Sequence, residues 1–322
     1  MLKESGRIEW IDMAKGIGML LVIVGHYYYT PQPVVDFIYL FHMPLFFFLS
    51  GILFNKDISF RTFLKKKGRT LVIPYMFFRT FALVFDVCYA LVRGNNVISI
   101  IHDSLRNTFV LDPNDTTWFL IALFFIQLIV WLLSKYMKNR MLIAVVCLVS
   151  SFFQYMYGFS FPCQLTKVFK YMVFFYAGCL IGNKVLFRTN YKKIMVVIGS
   201  CVGCVCTFLL QFKVTDTCVL WATGFLGGVA GILLVISVSH LITCSCIRYV
   251  GKNSLIYLGF HNRIMSYFIW DLLYIMHWNG NLSRGLGLVS YSIITMVLLF
   301  GILYAIIRLM NHKPWSYFVG KN

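Results

Sequence analysis

The sequence is divided into long apolar runs, and each run is about as long as a helix that crosses a lipid bilayer. The hydrocarbon core of a bilayer requires roughly 20 apolar residues in a helix. Ten such runs can be placed, at about 11–30, 35–54, 71–92, 116–134, 141–157, 165–183, 194–212, 218–240, 253–274 and 286–308. This pattern predicts an all-α polytopic membrane protein with about ten transmembrane helices.

The composition agrees with this class. Of the 322 residues, 60% are hydrophobic and only 12% are charged, whereas a soluble protein is about a quarter charged. A water-soluble globular enzyme and a disordered chain are therefore excluded. The longest connection, from about Arg93 to Asp115, is too short for a soluble domain, so we expect residues 1–322 to form a single membrane-embedded domain.

The basic residues sort by membrane side. The chain has 29 Lys+Arg against 11 Asp+Glu, a net charge of +18, which in a soluble protein would suggest nucleic-acid binding. With the N-terminus in the cytoplasm, 20 basic residues fall on the cytoplasmic side, 6 fall on the outer side, and Lys15, Arg79 and Arg263 lie within spans. Because cytoplasmic loops of membrane proteins are rich in Lys and Arg, the count predicts ten helices with both termini in the cytoplasm and no nucleic-acid partner.

The first apolar run carries a polar face. Asp12, Lys15, Met19, Val22 and His26 are spaced 3, 4, 3 and 4 residues apart, so they lie along one side of a helix. Asp12 can neutralise Lys15 one turn away. Ionisable groups are costly at membrane depth and mark functional sites. The alternatives are snorkelling of Asp12 and Lys15 at the interface, and a structural hydrogen bond for His26.

A second histidine is expected at the depth of His26. The connection Thr30–Val34 is short, and His42 enters the second run early, in FHMPLFFFLSG. Two adjacent antiparallel helices would bring both imidazoles into one layer. A neutral imidazole commonly takes a proton from a hydroxyl near neutral pH, so the pair is a candidate catalytic site.

Two further polar stretches stand out. Four basic residues precede the third run: Lys65, Lys66, Lys67 and Arg69. One interpretation is that they determine topology and contact anionic lipid. The other is that they bind the phosphates of a nucleotide-like cofactor. His261, Asn262 and Arg263 interrupt the ninth run. Since Arg263 is too costly to expose to lipid, we expect it to face the bundle or a wet cavity.

Five segments together resemble the integral-membrane acyltransferase family 3, with the fucose 4-O-acetylase-like acetyltransferases as the closest subgroup. In chain order they are IDMAKGIGMLLVIVGH, FHMPLFFFLSGILF, KKKGRTLVIPY, DTTWFLIALFF and GKNSLIYLGFH. The resemblance implies a membrane O-acetyltransferase of the bacterial inner membrane. This enzyme would move acetyl from acetyl-CoA to a hydroxyl of a cell-surface or lipid-linked carbohydrate. No metal is expected.

The resemblance also assigns residues. It implies that His26 and His42 are catalytic and that Lys15, Lys67 and Arg69 hold the phosphates of the cofactor. Family members often carry Arg at the position of Lys15, and Lys keeps the charge but loses the planar fork. Asp12, Asn253, His261 and Arg263 are expected to contact substrate or to support the site.

One competing function remains open at this stage, a polysaccharide-export component or small-molecule transporter without acyl transfer. Many transporters are built from two related halves. The sequence shows no obvious internal repeat, which favours the enzyme. Two mechanisms also stay open, since His26 can act as a general base or can carry the acyl group itself.

Overall fold

The computed structural model describes residues 8–111, 115–182, 190–269 and 286–320. Within these ranges every regular element is a helix. The α-helices are α1 Glu9–His26, α2 Gln32–Ile52, α3 Phe60–Lys67, α4 Ile73–Arg93, α5 Val97–Phe109, α6 Trp118–Tyr136, α7 Arg140–Tyr157, α8 Leu165–Ile181, α9 Asn190–Gln211, α10 Thr217–Leu241, α11 Ser245–Lys252, α12 Ser254–Arg263, α13 Leu286–Met310 and α14 Trp315–Phe318. Two π-helical segments, Gly68–Val72 and Ile264–Ile269, follow α3 and α12.

Seven helices among the described residues are long and apolar enough to cross a membrane. They are Gln32–Ile52, Phe60–Arg93, Trp118–Tyr136, Arg140–Tyr157, Ile194–Gln211, Thr217–Leu241 and Val289–Met310. The other three predicted spans coincide with α1, which contains Glu9, Asp12 and Lys15, with the 17-residue α8, and with the region of α12. The all-helical membrane class is therefore confirmed, while the count of ten and the side of the termini stay predictions.

The chain folds as two compact units. The first comprises Met1–Gly25, Pro31–Ser59 and Ala122–Ser254, and the second comprises His26–Thr30, Phe60–Ile121 and Leu255–Asn322.

The first unit is held by close contacts between helix backbones. A Cβ added at Gly51 of α2 would lie 1.9 Å from the carbonyl oxygen of Phe175 in α8, and one at Gly178 of α8 would lie 2.1 Å from that of Phe48. Only glycine permits these approaches, because any side chain would collide with backbone. The same packing joins α1 to α11, where a Cβ at Gly251 would lie 1.8 Å from the carbonyl oxygen of Asp12.

Helix ends in the first unit gather around two cavities. One, of about 460 Å³, is lined by residues near the start of α2 and α8 and the end of α7, including Asp36, Lys170 and Tyr155. The other, of about 470 Å³, is lined by residues at the opposite ends of the same helices. Helix α7 is therefore antiparallel to α2 and α8.

The second unit is built on α4. Its Tyr75 hydroxyl donates to the carbonyl oxygen of Thr108 in α5 at 3.0 Å. A Cβ at Gly259 would lie 2.2 Å from the ring of Phe78, so α12 packs closely on α4, and Phe260 adds an edge-to-face contact with Phe78 at 5.4 Å between centroids. The aromatic layer between α4 and α12 fixes the position of α12.

Two stretches that lie outside the ten predicted spans are helical. Residues 97–109 of the connection between Arg93 and Asp115 form α5, because Asn96 caps its first turn by accepting from the backbone N–H of Ile98 and Ser99, as N-cap residues do. The basic stretch before the third span is α3, which continues through the π-helical turn Gly68–Val72 into α4.

Candidate active site

Two imidazoles meet in the second unit. His26 is the last residue of α1, and His261 lies near the end of α12. Their ring centroids are 5.3 Å apart, and the rings stand edge to face at 76°. The predicted catalytic His26 is therefore paired with His261, a residue for which the sequence predicts only a contacting or supporting role.

The surroundings of His261 determine which of its nitrogens can accept a proton. Its ring is fully buried, and Nδ1 lies 2.7 Å from the carbonyl oxygen of Tyr257. A carbonyl oxygen only accepts hydrogen bonds, so Nδ1 of the neutral ring carries the proton and Nε2 carries the lone pair. Among the described residues Nε2 has no hydrogen-bond partner. A buried acceptor of this kind is a candidate for a role with substrate.

A buried ion cluster lies two residues beyond His261. Arg263 donates through Nε and Nη2 to the two carboxylate oxygens of Asp86 in α4, at 3.2 and 3.0 Å. Its Nη1 donates to Oδ2 of Asp115 at 3.0 Å. The Arg263 guanidinium therefore lies between two carboxylates of the second unit, and a role of Arg263 with substrate stays a prediction.

A second arginine completes the cluster. Arg79 of α4 donates to the same Oδ2 of Asp115 at 2.6 Å. Its other nitrogens donate hydrogen bonds to α5. Nε donates to the Thr108 hydroxyl at 2.9 Å, and Nη2 donates to the carbonyl oxygen of Ser104 at 3.1 Å. Two arginines and two aspartates balance in charge, so the cluster joins α4, α5 and α12 without a net charge.

Asp115 is held in its ionised form. Burial opposes ionisation, but hydrogen bonds from Thr117 and the guanidiniums of Arg79 and Arg263 outweigh it, so the pKa of Asp115 lies below its ordinary value of 3.8. The neighbouring Thr116 hydroxyl donates to the carbonyl oxygen of Leu258 in α12 at 2.9 Å. Residues 115–117 therefore bind α12 on both sides of His261 and fix the imidazole in place.

His42 has a similar local arrangement in the first unit. It is buried in α2, its Nδ1 lies 3.0 Å from the carbonyl oxygen of Ile38, and the Tyr39 ring is 4.8 Å away between centroids. Nε2 is again the nitrogen with the lone pair in the neutral ring. The placement of His26 and His42 in one layer stays a prediction.

The three basic residues predicted to hold the cofactor lie on two segments. Lys67 ends α3 and Arg69 follows in the π-helical turn, where its guanidinium lies 5.1 Å from the centre of the Tyr317 ring. Lys15 lies in α1, within the first unit. A joint clamp of Lys15 with Lys67 and Arg69 stays a prediction.

The remaining predicted residues occupy buried positions. Asp12 and Asn253 are 9% and 5% exposed. Asn253 follows α11 as its C-cap, and its side-chain amide donates to the carbonyl oxygen of Tyr249 at 2.9 Å. A direct role of either residue with substrate stays a prediction.

Among the described residues, no group of three or more His, Cys, Asp or Glu side chains is placed to hold a metal ion.

A family model described as an acyltransferase domain, Acyl_transf_3, matches residues 8–318. The chain belongs to the acyltransferase family 3. No curated protein and no solved structure matches it significantly. Membership in the acyltransferase family 3 and the long apolar helices indicate an integral membrane protein that transfers acyl groups.

In this acyltransferase, the sequence-based prediction missed Arg79, Asp86 and Asp115 as parts of the site. One signal was present, since Arg79 and Asp86 are seven residues apart in an apolar run and so lie on one face of a helix. Asp115 lies just outside a predicted span, and its signal was its place at the start of the segment DTTWFLIALFF that carries the resemblance.

Proposed function

We propose that this chain moves an acetyl group from acetyl-CoA to a hydroxyl of a cell-surface or lipid-linked carbohydrate. The family supplies the reaction class. The observation that carries the proposal is the contact of His26 with the buried His261, 5.3 Å between ring centroids. An attacking hydroxyl must lose its proton, and an imidazole held in a fixed position is suited to receive it.

In the proposed reaction His26 takes the proton from the sugar hydroxyl as that oxygen attacks the thioester carbonyl carbon. The new C–O bond forms, the C–S bond breaks, and the coenzyme A thiolate recovers the proton from His26. His261 packs against His26 and restricts its orientation. His42 is proposed to orient the acceptor or His26. In the rival route His26 carries the acetyl group itself, and acid trapping of an acetylated protein distinguishes the two.

The donor is proposed to bind through its phosphates. Lys67 and Arg69 lie together where α3 passes into the π-helical turn, and basic side chains bind phosphate through charge-assisted hydrogen bonds. The Tyr317 ring beneath the Arg69 guanidinium limits its motion, which reduces the entropy lost on binding. Lys15 is proposed to add a third charge.

A carbohydrate acceptor is supported by the aromatic residues that follow His26. Tyr28 is 77% exposed, and Tyr29 meets Tyr291 of α13 edge to face at 5.5 Å. The Tyr27 hydroxyl donates to the Ser292 hydroxyl at 3.0 Å, which anchors the cluster. Rings that also carry hydroxyl groups can stack on the apolar face of a sugar and hydrogen-bond its edge.

The test uses a deletion strain, on the further proposal that the host is a bacterium with the enzyme in its inner membrane. The strain is complemented with wild type, His26→Ala or His102→Ala, and O-acetyl groups on surface polysaccharide are counted by NMR. His102 is the matched control because its side chain is 74% exposed on α5. We expect wild type and His102→Ala to restore acetylation and His26→Ala, present at equal level in the membrane, to fail.

Full acetylation with His26→Ala would remove the catalytic role of His26. Unchanged acetylation in the deletion strain would contradict the function itself, as expected of a transporter without acyl transfer.

A further inference from the structure

The second cavity of the first unit is bordered by basic side chains. It measures about 470 Å³ and lies where α2, α6 and α8 end and α7 begins. Lys56 comes from the connection after α2, and Lys138 and Arg140 come from the connection between α6 and α7. These residues are distant from one another in sequence, and the fold brings them to one opening.

Among the described lining residues, the three cations outnumber the carboxylates. Asp57 is the acidic side chain in the lining, so the opening carries two excess positive charges. In the part of the chain that the structure describes, Lys56, Lys138 and Arg140 form no ion pair. Like charges around one concave opening repel each other and attract an anion more strongly than a flat surface does.

Both connections that supply the cations are tied to buried helices. The indole N–H of Trp131 in α6 donates to the carbonyl oxygen of Ile58 at 3.1 Å, next to Asp57. The Tyr176 hydroxyl of α8 donates to the carbonyl oxygen of Arg140 at 3.1 Å. Asn139 caps α7 by accepting from the backbone N–H of Met141 at 2.9 Å. The backbone around the opening is therefore fixed, and little ordering is needed to bind a ligand.

The lining of the cavity also contains apolar side chains. Among them are Val130, Ile143 and Leu180. A ligand that matches both parts carries an anionic group at one end and apolar or aromatic surface at the other. Sulfate or a free acidic side chain would leave the apolar part empty.

We propose that this cavity binds a phosphate ester, with its phosphate between Lys56, Lys138 and Arg140. Two sources carry this chemistry on the predicted cytoplasmic side: the headgroup of an anionic phospholipid, and a phosphate of acyl-CoA that the Lys67 and Arg69 pair does not hold. The acyl-CoA source rests on the proposed function, whereas the phospholipid source does not. The site differs from the Lys67 and Arg69 pair, because none of its lining residues comes from α3 or the π-helical turn.

The alternative is that the three cations only record topology, as basic residues in cytoplasmic connections do. In that case only the side of the membrane on which a charge lies would matter, and not its position beside the cavity. Removing three other basic residues from the same side would then weaken phosphate binding equally.

The experiment compares two triple variants of the full chain in nanodiscs. One is Lys56→Gln/Lys138→Gln/Arg140→Gln. The control, Arg61→Gln/Arg308→Gln/Lys313→Gln, removes the same charge from exposed residues outside the cavity. The probes are adenosine 3′,5′-bisphosphate, measured by equilibrium dialysis, and phosphatidylglycerol, counted as bound lipid by native mass spectrometry against phosphatidylcholine.

We expect wild type to bind at least one probe, the cavity variant to bind it about tenfold or more weakly, and the control to stay within about twofold. Loss of the nucleotide identifies the donor phosphate, and loss of phosphatidylglycerol identifies a lipid site. Binding of neither probe by wild type, or equal effects of the two variants, would overturn the proposal. His26→Ala should retain full binding, so failure of the catalytic proposal is distinguished from failure of this one.

Discussion

The guanidinium of Arg263 donates hydrogen bonds to both carboxylate oxygens of Asp86, from Nε to Oδ1 at 3.2 Å and from Nη2 to Oδ2 at 3.0 Å. The two residues are 177 positions apart in the sequence, and their contact joins α12 to α4. Because His261 lies two residues before Arg263, this fork and the Asp115 contacts determine where the imidazole beside His26 stands. Two parallel hydrogen bonds between a guanidinium and a carboxylate fix the relative orientation of the two side chains as well as stabilising their contact.

The first prediction concerns the stability of this contact. Asp86→Ala should destabilise the protein by about 3 kcal/mol, since removing one partner leaves a buried charge uncompensated. Arg263→Lys, with Asp86 intact, should also destabilise the protein but by less, because an ammonium keeps the charge and cannot form the fork. Thermal unfolding in detergent measures both changes.

Glu9 and Arg248 supply the control, since they form an exposed pair at 3.2 Å with the Glu9 side chain 76% exposed. Glu9→Ala should cost less than about 1 kcal/mol. Equal losses for Asp86→Ala and Glu9→Ala would contradict a structural role of the Asp86 fork.

The second prediction follows from the ionisation of Asp115, whose folded pKa lies below its ordinary value of 3.8. Its charge therefore contributes stability that is fully present above the unfolded pKa and is lost as the pH falls through the folded pKa. The excess unfolding free energy of wild type over Asp115→Asn should be constant from about pH 7 to pH 5 and should shrink below about pH 4. An excess that grows towards acid would show that Asp115 is protonated in the folded protein.

The third prediction tests His261 as a positioning residue. His261→Ala should lower kcat of acetyl transfer by roughly tenfold to a hundredfold, because a misplaced base loses much of its contribution. The KM for acetyl-CoA should stay within about twofold, since His261 is not proposed to bind the donor. Steady-state kinetics with radiolabelled acetyl-CoA separates the two constants. A raised KM with unchanged kcat would make His261 a binding residue instead.

The fourth prediction concerns the contact between α1 and α11. Gly251→Ala should destabilise the protein by about 1–3 kcal/mol, since the new Cβ would lie 1.8 Å from the carbonyl oxygen of Asp12. Gly199→Ala is the matched control, because a Cβ there meets nothing within 4 Å. Unfolding midpoints in detergent compare the two. Equal midpoints would show that α1 and α11 are not in backbone contact.

Sequence periodicity was sufficient to predict the helices that carry His26 and His261. The spacing of Asp12, Lys15 and His26 predicted a helix, and α1 spans all three. Periodicity could not predict the pairing of His26 with His261, because it describes one helix at a time and does not show which helices pack together. The glycines that permit this packing, such as Gly259 against Phe78, look like any other small residue in an apolar run.

Charge pairing was also beyond the sequence. Arg263 was recognised as too costly for lipid, but its partners Asp86 and Asp115 lie 177 and 148 residues away. The helix α5 was missed for a different reason. Its apolar residues alternate with polar ones over only 13 residues, which is too short for the length that marks a membrane span.

The central claim is that His26 is the base of an acetyl transfer. The most direct measurement is the rate at which purified protein moves radiolabelled acetyl from acetyl-CoA onto glycans extracted from the deletion strain. We predict that His26→Ala lowers this rate by about 10²–10⁴, while His102→Ala stays at the wild-type rate. A His26→Ala protein that is folded and transfers acetyl at the wild-type rate would contradict the claim.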